Sequence, residues 1–84
     1  MNDRVIMITS NYEDGDAVKT DGKVILRNGK IIIETEYEGL RSDLEHGLPF
    51  DGRMVYPKKN PEEFFKAVLI EYSKGTSGGA LELP

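Results

Sequence analysis

"EDGDAVKTDGKVILRNGKIIIE", residues 13–34, is the stretch on which the fold of this chain turns. Asp14-Gly15, Asp21-Gly22 and Asn28-Gly29 stand seven residues apart, with five residues between one pair and the next. Asn-Gly is the strongest short signal for a two-residue hairpin. Both central residues of a type I′ turn take positive φ, and Asn and Gly tolerate it best. Asp21-Gly22 is a similar signal, and five residues is a strand length. The stretch therefore reads as a β-meander with strands near 16–20, 23–27 and 30–37.

Two-residue turns would set the register. Arg27 then faces Lys30, Leu26 faces Ile31, Ile25 faces Ile32, Val24 faces Ile33, and Lys23 faces Glu34. A turn at Asp21-Gly22 would also bring Val18 opposite Ile25. Alternation sorts these side chains onto two faces. Ala17, Val24, Leu26, Ile31 and Ile33 make one, which is almost continuous hydrocarbon and must be the core side. Val18, Ile25 and Ile32 form a stripe on the other, bounded by Lys23, Arg27, Lys30 and Glu34. A charged rim around an apolar stripe suits a partner-binding face, and a homodimer is one form of it. The plainer expectation is that the chain's own C-terminal segment covers the stripe.

The same reading extends outward. "RVIMITS", residues 4–10, is apolar on both faces, as in a central strand covered on both sides. "LRSDLEHG" reads as a short helix of about 40–46, with Leu40 and Leu44 on one face and Gly47 as the cap. "LPFDG" reads as a turn and "RMVY" as a short strand. The main amphipathic helix, about 61–74, has Asn60 as N-cap, Pro61 at its first position, and Glu63 completing a capping-box pattern. Phe64, Phe65, Val68, Leu69 and Tyr72 form its apolar arc. Ala67 and Ile70 lie off that arc, which exposes Ile70 to another segment or a partner. Residues 75–84 read as a flexible arm or an edge strand that pairs within the chain or with another. The expectation is a single α+β domain over 1–84, a small, mainly antiparallel sheet with one main helix packed on one face.

Composition narrows the function classes. Eighty-four residues allow one modest core. Cysteine is absent, so there is no disulfide, no thiolate metal site and no cysteine nucleophile, in keeping with a reducing cytoplasm. No apolar run has the length of a membrane span, and the start of the chain lacks the pattern of a signal peptide. The formal net charge is −4, and an acidic field disfavours generic nucleic-acid binding. Frequent Lys and Glu with no Gln, Cys or Trp is a balance also met in thermophile proteins.

The motifs are tested by spacing. An EF-hand loop started at Asp14 puts Val18 and Lys19 where a ligand and a glycine belong, so calcium is a poor fit. Glu13, Asp14 and Asp16 could hold only an incidental cation. No phosphate-loop pattern occurs, and "GTSGG" follows a helix instead of opening one. His46, with Asp43 or Glu45 nearby, is the one candidate acid–base group of a small enzyme. Its simpler role is a favourable charge at a helix C-terminus. Tyr12, Tyr37 and Tyr56 with Arg27, Arg41, Arg53, Lys58 and Lys59 could make a single-strand nucleic-acid platform. Against it, Glu34, Glu36 and Glu38 would line one strand face, as an acidic docking surface. No catalytic, metal or cofactor residue is assigned. The leading expectation is a non-catalytic protein-interaction or regulatory module. It would act through Val18, Ile25, Ile32 and Ile70, or through the acidic ladder.

Overall fold

The computed structural model describes residues 3–11, 18–74 and 78–84. Strands β1 (Arg4–Asn11), β2 (Val18–Arg27) and β3 (Lys30–Thr35) come first. Helix α1 (Glu38–Glu45) follows, then short strands β4 (Leu48–Phe50) and β5 (Arg53–Val55). Helix α2 (Pro61–Tyr72) and strand β6 (Gly78–Glu82) complete the order. The main sheet is antiparallel in the order β3-β2-β1-β6, and β4-β5 is a separate hairpin. This is the α+β class expected from the hydrophobic pattern, with strands concentrated in the N-terminal half.

The β2–β3 hairpin follows its turn chemistry. Asn28 (φ 52°) and Gly29 (φ 74°) both take positive φ, and every pair from Arg27↔Lys30 to Lys23↔Glu34 has the expected register. Asp21-Gly22 behaves differently. The chain runs straight through it, so the expected strands at 16–20 and 23–27 are one strand. Ile8 pairs with Gly22 and Thr9 with Thr20, which leaves Asp21 as the extra residue of a β-bulge. Two neighbours hold that residue. Ser10 Oγ donates to its carboxylate at 3.0 Å, and Thr35 Oγ1 donates to its carbonyl at 2.7 Å. Val18 consequently pairs with Asn11 of β1, not with Ile25. Asp14-Gly15 and Ala17 lie outside the described residues.

A second positive-φ turn does form, at Asp51 (φ 53°) and Gly52 (φ 80°) between β4 and β5. The stretch read as a plain turn, "LPFDG", is thus a short strand followed by its turn.

The core lies between one face of the sheet and everything else. Ile6, Ile8, Val24 and Leu26 pack with Leu44 of α1, Leu48 and Val55 of the hairpin, and Phe64, Phe65, Ala67 and Val68 of α2. Ile31 and Ile33 pack against its border. Ala67, off the expected arc, is fully buried, because the hairpin widens the side of α2 that meets protein. The expected capping box does not form. Asn60 Oδ1 accepts from the Tyr56 amide at 3.3 Å, and Glu63 is drawn to Arg53. Pro61 and the acids Glu62 and Glu63 still suit a helix start.

Gly22 is needed for space, not for its φ. A methyl group there would stand 2.9 Å from the Glu34 carbonyl oxygen, 2.9 Å from Thr35 Cβ and 3.2 Å from Leu40 Cδ2. Gly79 of β6 has only Thr9 Oγ1, at 3.9 Å. Gly22→Ala is therefore expected to cost about 1–3 kcal/mol by overpacking. Gly79→Ala should be neutral or stabilise by up to about 1 kcal/mol, through the unfolded chain. Urea melts of the two variants check this, and equal effects would show that β3 and α1 do not crowd Gly22.

Candidate interaction face

Among the described residues every element outside the main sheet sits on one side of it. The side chains of α1, α2 and the hairpin all enter the cluster that contains Ile6, Ile8, Val24 and Leu26. Period-two alternation sends Val5 and Met7 of β1, Ile25 of β2 and Ile32 of β3 to the opposite side. β6 joins β1 at the edge, with Met7↔Leu81 paired and the Leu83 amide donating to the Val5 carbonyl at 2.8 Å. Ala80 meets the core, so Leu81 and Leu83 point to the open side. The registers therefore place Ile32, Ile25, Val5 and Leu83 in one row across all four strands. The next row is Glu34, Lys23, Met7 and Leu81.

This face is where the sequence placed its stripe, but the membership differs. Ile25 and Ile32 are neighbours, as expected. Val18 is not beside them, for the reason given by the bulge at Asp21. Ile70 is 49% exposed but belongs to the helical layer, beside a hollow lined by Pro49, Phe50, Asp51 and Gly52. The C-terminal segment extends the face as a strand and does not lie across it. β1 is central, and the described helices and hairpin cover its Ile6/Ile8 side, where a strand covered on both sides was expected. Ile25 is only 6% exposed and lies on an inner strand. Leu81, at the sheet edge, is 61% exposed.

Charge flanks the row on one side. Arg27 pairs with Asp3 at 2.8 Å, and Lys30 lies opposite Arg27. The hydrogen bond from Arg27 holds the Asp3 carboxyl below its ordinary value. On the helical side, Arg4 grips Glu82 through two bonds, of 2.8 and 2.9 Å, and its guanidinium lies 4.9 Å from the centre of the Phe65 ring. That hydrogen bonding lowers the Glu82 pKa in turn.

The acidic ladder does not exist as a strand face. β3 ends at Thr35, so only Glu34 of the three lies on it. Glu36 lies at the bend, and Glu38 opens α1, 3.8 Å from Arg41. The cause is Thr35, whose hydroxyl accepts the Tyr37 amide at 3.0 Å and turns the chain.

The aromatic–basic platform is not assembled either. Arg27 is held by Asp3 and Arg53 by Glu63. Arg41 donates to the Ile33 and Thr35 carbonyls at 3.4 and 2.8 Å. Tyr37 is partnered by Lys19, 4.4 Å from its ring centre, while Tyr56 lies beyond β5 with Pro57 and Lys58. Tyr12 and the trio Glu13, Asp14 and Asp16 lie outside the described residues. His46 is exposed, and its Nδ1–H donates back to the Ser42 carbonyl at 2.7 Å, which ties the imidazole to its own helix. Among the described residues no three His, Asp or Glu side chains group as a metal site would, and no helix is long and apolar enough to cross a membrane.

Val5, Met7, Leu81 and Leu83 were absent from the expected face. Their signal was present: Val5 and Met7 alternate with Ile6 and Ile8, and Leu81 and Leu83 alternate in "ALEL". What local pattern lacked was the pairing that sets β1 and β6 beside β2. No protein family, curated protein or solved structure matches the chain.

Proposed function

We propose that this chain is a small protein-interaction module that receives a partner on the open face of its sheet. The observation that carries the reading is the one-sidedness of the fold. Both helices and the hairpin serve a single face of the sheet, and an apolar row crosses the other from Ile32 to Leu83. Burial of such a row against a partner is favourable in proportion to the apolar area removed from water. Lys30, Arg27 and Asp3 along one flank of the row and Glu34 with Lys23 along the other supply both signs of charge, which would orient the partner more than hold it.

The nucleic-acid reading has less behind it, because its three arginines are each engaged in different parts of the molecule. The acid–base reading has an imidazole whose recorded bonds go to Ser42 and to no carboxylate.

The test is a comparison of variants in a pull-down from the native host. Met7→Lys and Ile32→Lys change the open face, while Lys66→Ala changes an exposed position on α2. The face variants should melt close to the parent chain and lose about tenfold or more of the captured protein, a loss of ~1.4 kcal/mol. Lys66→Ala should capture as the parent does. Capture that survives both face substitutions would place the binding surface elsewhere.

A further inference from the structure

The sheet has two edges, and they are treated differently. On β3 the outward carbonyls of Ile33 and Thr35 are taken by the Arg41 guanidinium, and a charged group over an edge blocks strand addition. On β6 the bond from Leu83 to Val5 fixes which backbone groups face inward. Alternation then turns those of Leu81 and Gly79 toward β1 and those of Ala80 and Glu82 outward. Among the described residues one hydroxyl reaches that outer edge. Ser73 Oγ donates to the Ala80 carbonyl at 3.3 Å, and a carbonyl has a second lone pair.

We infer that β6 pairs antiparallel with β6 of a second copy of this chain, joining two four-stranded sheets into one of eight strands. The inference goes beyond the interaction-module reading, since it uses the sheet edge and leaves the open face for that reading's partner. Strand β6 is self-complementary about Leu81. With Leu81 opposite its own copy, Ala80 of each chain meets Glu82 of the other, and their outward amides and carbonyls exchange two pairs of hydrogen bonds. The two Leu81 side chains then form a close, non-hydrogen-bonded pair on the open face, which accounts for a leucine left 61% exposed. Leu83 falls opposite Gly79, where an added methyl group would meet only Thr9 Oγ1, at 3.9 Å. The apolar row thereby continues across the junction.

Charge selects this register. A slip of two residues one way would put Glu82 opposite Glu82. In the symmetric register each Glu82 faces an alanine and stays engaged by Arg4 on the helical side. Lysine, the common guard of an exposed edge, is absent from Gly78–Glu82. The paired surface is small, so the dimer belongs to the transient class and should depend on concentration.

Sedimentation equilibrium over a wide concentration range tests the inference. The parent chain should pass from the monomer mass toward twice that mass. Ala80→Pro removes an amide that serves only the outer edge, and proline is tolerated on edge strands. Leu81→Lys sets two like charges against each other at an already exposed position. Both variants should stay monomeric at concentrations where the parent has dimerised, with Leu81→Lys melting as the parent does. Ile32→Lys, on β3 with two strands between it and β6, should still dimerise. A parent chain that is monomeric at millimolar concentration overturns the inference. So does a dimer that Leu81→Lys leaves intact. A dimer lost in Ile32→Lys but kept in Leu81→Lys also overturns it, and would instead support self-docking through the face, leaving the interaction-module reading standing.

Discussion

Phe64→Ala is expected to leave a substantial fraction of the chain unfolded at room temperature. Phe64 is fully buried in the first turn of α2, among side chains of both helices, the hairpin and the sheet. Truncation of a buried phenylalanine costs about 3–5 kcal/mol, from lost transfer free energy and the cavity left behind. A chain of 84 residues has a total stability of roughly 4–12 kcal/mol at about 0.05–0.15 kcal/mol per residue. Among the described residues both helices and the hairpin cover the same side of the sheet, and Phe64 lies in that layer. Ile70→Ala, on the same helix but half exposed, should cost under about 1 kcal/mol. Urea melts followed by circular dichroism compare the two. A Phe64→Ala loss no larger than that of Ile70→Ala would mean that the core does not close around α2 as described.

The elements legible in the sequence were those whose signals are local. Asn28-Gly29 sits between two runs whose alternation agrees, so the turn and the register of β2–β3 could be read together. α2 announces itself through Pro61, its early acids and its 3.6-residue period. Asp21-Gly22 carried a comparable local signal and did not become a turn. What decided it was non-local: Ser10 and Thr35, eleven and fourteen residues away, hold Asp21 as a bulge between two strands. The error propagated by geometry. A turn there would have folded Val18 onto Ile25, whereas the bulge sends it along the strand to pair with Asn11. β4 was hidden for another reason, since three residues ending in Phe50 are too few to show a period. The open face was half legible. Alternation separated Ile25 and Ile32 from Val24 and Leu26, but only long-range pairing could add Val5 and Leu83 to their row.

Gly47→Ala is the second large loss to expect, and it has two separable parts. Gly47 ends α1 with φ +97°, where its amide still bonds the Leu44 carbonyl at 3.2 Å. An L-residue in the left-handed region costs roughly 1–2 kcal/mol. The second part is crowding. The pairing Leu48↔Val55 sets Gly47 beside Tyr56, and a methyl group there would stand 2.7 and 2.8 Å from two ring carbons and 2.9 Å from the Val55 carbonyl oxygen. Overpacking of this kind adds about 1–3 kcal/mol. Gly29→Ala supplies the control, since Gly29 also has positive φ but meets nothing within 4 Å. Gly47→Ala should therefore be the more damaging of the two. Tyr56→Ala should relieve part of its cost and none of that at Gly29, so a double-mutant cycle isolates the ring from the backbone. Strict additivity of Gly47→Ala and Tyr56→Ala would show that the ring does not close over the end of α1. A coupling would show that this helix stops where it does because an aromatic from the hairpin occupies the space a side chain would need.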